Sequence, residues 1–223
     1  MKTDFLPKHP AKRFILFFAI LYSLVLIVGV VFEGRGIYQK AFRSFGEGIL
    51  GSAGNNGIVK FMEVDAKDQY DPAYHTMIMM GNELQAQEAM QKGTAVNVAK
   101  VYTNDYMVGF LPTFTLLALL LATPMSWKRK LIAVGVGLVL ITLFVISRQW
   151  VLVYTAMGNN AYLELTEMSE GTVRFMIGLR RVFVTNIVVS MMVPFLLWGM
   201  IVFRTEDLKN WLGEDIQRIL KLK

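Results

Sequence analysis

Four stretches without a charged side chain, residues 14–32, 107–127, 131–147 and 182–203, divide this chain of 223 residues. The hydrocarbon core of a bilayer is roughly 30 Å thick and a helix rises about 1.5 Å per residue, so about 20 apolar residues cross it, within a range of roughly 17 to 25. All four meet the lower limit, and the sequence predicts a membrane all-α bundle of four transmembrane helices. Composition agrees, with 54% hydrophobic and only 18% charged residues, well under the roughly 25% of a soluble domain. None of the stretches contains Asp, Glu, Lys, Arg or His. Ion pathways, proton relays and intramembrane proteases need such groups, so the search for function moves outside the expected bilayer.

Lys and Arg that flank a span are retained on the cytoplasmic side. Lys2, Lys8, Lys12 and Arg13 precede the first stretch against a single Asp4, and Lys128, Arg129 and Lys130 join the second to the third with no acid. Residues 33–105 carry seven basic and nine acidic side chains, and residues 149–181 carry three of each. The tail from Arg204 has five basic and four acidic residues. This alternation predicts spans at 14–32, 106–127, 131–154 and 182–203. Residues 1–13, 128–130 and 204–223 are then cytoplasmic, and 33–105 and 155–181 are external. The expectation is a multi-pass protein of a bacterial inner membrane, N-in and C-in, whose net charge of +6 reflects topology rather than nucleic-acid binding. A cleaved leader is the weaker alternative. The first apolar run exceeds the roughly 7 to 15 residues of a signal peptide, and Glu33-Gly34-Arg35-Gly36 offers no small-residue cleavage site.

Residues 33–105 are long enough to form a small α+β extracytoplasmic insertion between the first two helices. Ile37, Ala41, Phe42 and Phe45 recur at helical spacing and extend the first helix outward. Residues 58–64 and 74–80 read as two strands of a hairpin with an Asp-rich loop. Asn82, Glu83 and Gly93 mark the cap, first turn and end of a short helix, and residues 95–102 supply a third strand. Asp65, Asp68, Asp71 and His75 lie close together in sequence, but they lack the spacing of a known metal loop. A solvated turn is the simpler account, and no metal or cofactor is expected. His75 beside Tyr70 and Tyr74 is a candidate general base without an accompanying nucleophile. The absence of Cys removes disulfides, thiolates and Cys-ligated metals.

Arg148 stands at the outer end of the third stretch, where it can snorkel to headgroups, pair with Glu164 or Glu167, or contact a partner protein. Residues 155–181 interleave apolar side chains with Glu164, Glu167, Glu170, Arg174, Arg180 and Arg181, a pattern of short amphipathic helices folding back on the first external unit. Ala133 and Gly137 have the spacing of a close helix contact, with Gly135 between them. After Arg204, the residues Leu208, Trp211, Leu212, Ile216 and Ile219 form one helical stripe suited to a membrane surface or a partner. Arg148, His75, Asp71, Arg180, Arg181 and Trp211 are therefore the candidates for partner contact or a structural role.

The run Gly109-Phe110-Leu111-Pro112-Thr113, continued by Leu119-Leu120-Leu121-Ala122-Thr123-Pro124 and Trp127-Lys128-Arg129-Lys130, resembles a stretch of small bacterial membrane proteins associated with exosortase systems. The exosortases themselves use a Cys nucleophile with Arg and His. With no Cys here, the resemblance implies an accessory protein and not the peptidase. The expected function is a non-enzymatic inner-membrane accessory or assembly subunit whose partners are the lipid bilayer and another membrane protein or a second copy of itself. The alternative is a small transporter or lipid-handling protein with a cavity lined by Thr113, Thr115, Thr142, Ser147, Thr185, Asn186 and Ser190. An external enzyme using His75 is the third possibility.

Overall fold

The computed structural model describes residues 10–33, 36–52, 56–64 and 74–202. In chain order these form α1 (Pro10–Glu33), α2 (Ile37–Leu50), β1 (Gly57–Glu63), β2 (Thr76–Asn82), α3 (Glu83–Lys92) and β3 (Ala99–Thr103). A π-helical turn (Tyr106–Phe110) then runs into α4 (Leu111–Ala122), followed by α5 (Trp127–Asn159) and a 3-10 turn (Ala161–Leu163). Last come α6 (Glu170–Arg180), a second π-helical turn (Arg181–Thr185) and α7 (Ile187–Val202). The chain divides into two compact units, one from the described parts of 1–31, 111–143 and 191–223, the other from those of 32–110 and 144–190.

The first unit is helical. Phe14 of α1 is buried with Leu119 and Ala122 of α4 and stacks on Trp198 of α7 at 5.5 Å between ring centroids. The Trp198 indole N–H donates to the Thr123 hydroxyl at 2.9 Å, and that hydroxyl donates to the Leu119 carbonyl at 2.7 Å. Both polar groups are thereby satisfied in an otherwise apolar contact. A Cβ added at Gly137 would come within 2.7 Å of Leu120, so Gly137 lets α5 approach α4 closely, whereas Gly135 faces open space.

The second unit is built on an antiparallel sheet in the order β1-β2-β3. Val59 and Phe61 of β1, Ile78 and Met80 of β2, and Ala99 of β3 turn to one face, as the two-residue period of a strand dictates. That face packs on Leu152, Val153, Ala156 and Met157 from the second half of α5, with Leu163 and Leu165 closing the core. Gly46 of α2 admits the Phe61 ring where a Cβ would stand 2.7 Å from it. Asn82 ends β2 and starts α3. Its Oδ1 accepts from the Leu84 and Gln85 amides, and its Nδ2 donates to the Leu163 carbonyl at 3.1 Å. Gly93 closes α3 in the left-handed region, with φ of 64°. The strands, their helix and the fold-back of residues 155–181 thus follow the order read from the sequence. Gly36, with φ of 62°, precedes α2 and separates it from α1, where one continuous helix was expected.

The expected bundle of four transmembrane helices is not what these elements form. Among the described residues one helix, α5, is long and apolar enough to cross a membrane. There are two if α6 with its π-helical turn and α7, bent by 71° at their junction, are taken as a single broken span. The protein is mostly helical with a small three-stranded sheet. The stretch 107–127 fails because its helix ends at Ala122, ahead of Thr123-Pro124, and α5 begins at Trp127. The expected loop 128–130 is consequently the first turn of α5. The stretch 182–203 is interrupted at Asn186, which takes an extended conformation, and its described part continues as α7 from Ile187 to Val202. α1 covers residues 14–32, but part of it has side chains outside the described residues, and the expected tail helix at 204–223 lies wholly outside them.

Asn82 satisfies three separate groups, so Asn82→Ala is expected to lower stability by about 1–2 kcal/mol, read as a drop in the thermal midpoint by circular dichroism. A variant that melts with the parent would show the cap to be dispensable.

Candidate functional site

Pro112 sits at the second position of α4 and has no N–H. In a regular helix the Val108 carbonyl would accept from residue 112, and in the wider π-helical register so would the Met107 carbonyl. Neither can. Further along, Val184 would accept from the Val188 amide, but that amide donates instead to Asn186 Oδ1 at 2.9 Å. Arg148 of α5 donates to all three carbonyls. Its Nη1 donates to Met107 at 3.3 Å and Val108 at 3.2 Å, and its Nη2 donates to Val184 at 2.7 Å. The planar guanidinium fork makes this possible, since its two arms diverge in fixed directions. Phe144 lies beneath it, with the guanidinium carbon 5.5 Å from the ring centroid.

Arg148 is 1% exposed, so it does not snorkel to a surface. Glu164 and Glu167 are exposed, and the guanidinium bonds carbonyls instead of either. The Arg148 Nε has no protein partner, and neither does the Ser190 hydroxyl, which is fully buried.

Both groups belong to a cavity of about 340 Å³. Tyr74, Tyr102, Thr103 and Asn104 from the ends of β2 and β3 form one wall, Arg148 and Leu152 of α5 another, and Arg180, Val184, Ile187 and Ser190 the third. A second cavity of about 400 Å³ shares Tyr74, Tyr102 and Arg180 and adds Lys100, Asn159 and Asn160. The two tyrosine rings between them are 6.3 Å apart. Arg148, Arg180 and Lys100 contribute three positive charges, and no Asp or Glu lines either cavity. Arg180 and Lys100 form no ion pair among the described residues. Chemically the cleft offers cationic and hydroxyl donors opposite an apolar wall, an arrangement that can hold an anion.

Behind the strand ends lies a different polar cluster. Asp105 is fully buried, and its Oδ2 accepts from the Thr76 hydroxyl at 2.6 Å while Oδ1 has no partner. Burial pushes this carboxyl up to about 7, against the opposing effects of the Thr76 hydrogen bond and the charge of Arg43. Burial also raises Tyr38, as does the nearby Asp105 charge. The Tyr38 hydroxyl occupies the space a side chain at Gly109 would need.

Of the residues singled out from sequence, Arg148 and Arg180 meet in the cleft. Arg181, next along the chain, is exposed. His75 is half-buried, and its backbone pairs with Val64 and Thr103 at the sheet's end, beside the cleft-lining Tyr74. Asp71 and Trp211 lie outside the described residues. Among the described residues no three His, Asp or Glu side chains gather as metal ligands. Of the seven hydroxyl and amide residues expected to line a cavity, Thr185 and Ser190 do so. Thr115 and Ser147 instead donate to carbonyls of their own helices, and Asn186 is exposed. Sequence reading missed Lys100, Tyr102 and the Asp105–Thr76 pair. The alternation of 99–103 places Lys100 and Tyr102 on the same side of β3, which was the available signal. Comparison with known proteins returns no match: no protein-family model fits the chain, no curated protein is similar to it, and no solved structure is similar to its fold.

Two variants separate these clusters. Arg148→Met keeps the apolar stem but removes a donor from three carbonyls, and is expected to lower stability by about 2–5 kcal/mol in a thermal melt. Arg148→Lys should fall between it and the parent, because one ammonium cannot reach both π-helical turns. For Asp105, the unfolded chain ionises near 3.8 while the folded one holds its proton to about 7. The favourable contribution is therefore complete below the lower value, erodes as pH rises between the two, and is gone above about 7. The thermal midpoint should drop from pH 5 to pH 7.5, and Asp105→Asn should flatten that drop. A pH dependence unchanged in Asp105→Asn would assign it to another group.

Proposed function

We propose that this is a membrane-embedded accessory protein, non-enzymatic, whose helical unit lies in lipid and whose α+β unit holds an anionic group of a ligand or partner. One observation carries the membrane part. The helical unit exposes a broad set of large apolar side chains on three helices, among them Ile27 at 65%, Leu131 at 67%, Ile132 at 68% and Met200 at 78%. Exposed apolar surface on that scale marks contact with lipid or another protein.

Along α5 the change of environment supports the same reading. Leu131, Ile132, Val136, Val139 and Leu143 are exposed, whereas from Phe144 to Met157 most residues are buried. The uncharged run 131–147 is about 25 Å long, close to the thickness of the hydrocarbon core, and the helix then continues into the second unit. An accessory role also agrees with the resemblance of residues 109–130 to exosortase-associated proteins. A lipid-handling protein is the second reading, favoured by Thr185 and Ser190 sharing the cavity with Arg148.

Washing membranes with alkaline carbonate tests the first part: the protein is expected to stay in the pellet, and its release would overturn the membrane reading. Chromatography of the full chain in a mild nonionic detergent tests the second. Elution with another protein at fixed stoichiometry is expected, and a solitary monomer would remove the accessory role.

A further inference from the structure

We infer that the cleft recognises a phosphate ester, bound through its non-bridging oxygens. The inference rests on the reading of this cleft as an anion site and names the anion. Arg148 is nine-tenths or more buried, lines the cavity and keeps an unpartnered Nε, and the buried Ser190 hydroxyl lines the same cavity without a protein partner. Arg180 is shared by both cavities and, like Lys100 in the second, carries a charge that no described carboxylate balances.

The cavity that holds Ser190 brings two cations, Arg148 and Arg180, together with hydroxyl donors, and Lys100 lines the neighbouring cavity that shares Arg180; these donors outnumber the two oxygens of a carboxylate. A phosphate presents three or more acceptor oxygens and as much as two negative charges, which suits donors arriving from several sides. The apolar wall, Leu152 and Ile187 among it, gives the organic part of the ester somewhere to lie. Together the volumes are those of a site for a small ligand, or for the head of a larger one, and not of a polymer groove. The same phosphate can come from a lipid headgroup or from a soluble ester.

Isothermal titration of the purified full chain, in phosphate-free buffer with a maltoside detergent, distinguishes these sources. The probes are dihexanoylphosphatidic acid, glycerol 3-phosphate and hexanoate. Binding of the phosphate probes without binding of hexanoate is expected. Arg180→Gln should weaken it about tenfold or more while leaving the thermal midpoint in place, because Arg180 makes no side-chain bond to the described residues. Lys100→Gln should weaken it less, being more exposed. Much tighter binding of dihexanoylphosphatidic acid than of glycerol 3-phosphate assigns the site to a lipid headgroup, and equal binding assigns it to a soluble ester; either supports phosphate recognition. Failure of both phosphate probes to bind, hexanoate binding as well as they do, or an unchanged affinity in Arg180→Gln overturns it. Release from membranes by carbonate would sink the membrane reading alone, since these titrations do not depend on it.

Discussion

The structure depends on a proline without an N–H and an arginine whose guanidinium reaches carbonyls on both π-helical turns. Pro112 offers no amide to the carbonyls of Met107 and Val108, and Asn186 takes the amide that Val184 would have used. Buried carbonyls left in that condition are costly. Arg148 supplies all three bonds from one side chain, so two separate irregularities in helix geometry are tolerated because a third element passes between them. The π-helical turns, the bend after Thr185 and the walls of the cleft all follow from that arrangement. They are consequences of where donors are missing, in keeping with the tendency of π-helical turns to occur at functional sites.

The same guanidinium joins structure to recognition. Neutral carbonyl oxygens accept from its two terminal nitrogens without cancelling its charge, so a positive charge remains inside the protein. Arg180 and Lys100 add to it around the two cavities. Buried charge of one sign is unfavourable in isolation and becomes favourable when an anion enters. Asp105 is kept out of this balance. Its carboxyl faces Thr76 and, held up to about 7, is partly neutral near physiological pH. It lines neither cavity.

Much of the α+β unit was legible in sequence because its signals are local. Asn82 and Gly93 each act within a turn, and the alternation of Val59 and Phe61 or Ile78 and Met80 is a property of consecutive residues. The stretches 107–127 and 182–203 were misjudged because hydropathy averages over a window and does not register where a helix ends. Thr123-Pro124 and Asn186 stop or bend helices inside runs that remain apolar throughout. Arg148 was placed at a boundary for the right reason, its charge, but its partners are backbone carbonyls 36 to 41 residues away, and backbone carbonyls have no sequence signature. Tyr74 and Tyr102 meet only through the pairing of β2 with β3, where Thr76 stands opposite Thr103. Register of that kind is set by the folded sheet and not by either strand alone.

The three acceptors of Arg148 also fall in a definite order along the chain. Met107 and Val108 precede it, but Val184 is synthesised 36 residues later. At roughly 5–20 residues per second, the guanidinium exists for a few seconds before its third carbonyl emerges. During that interval the carbonyls of Met107 and Val108 are already made, while the segment from α6 to α7 has yet to arrive. Synthesis thus supplies the acceptors in two instalments, and one arm of the fork has no carbonyl to meet until the last part of the chain is made.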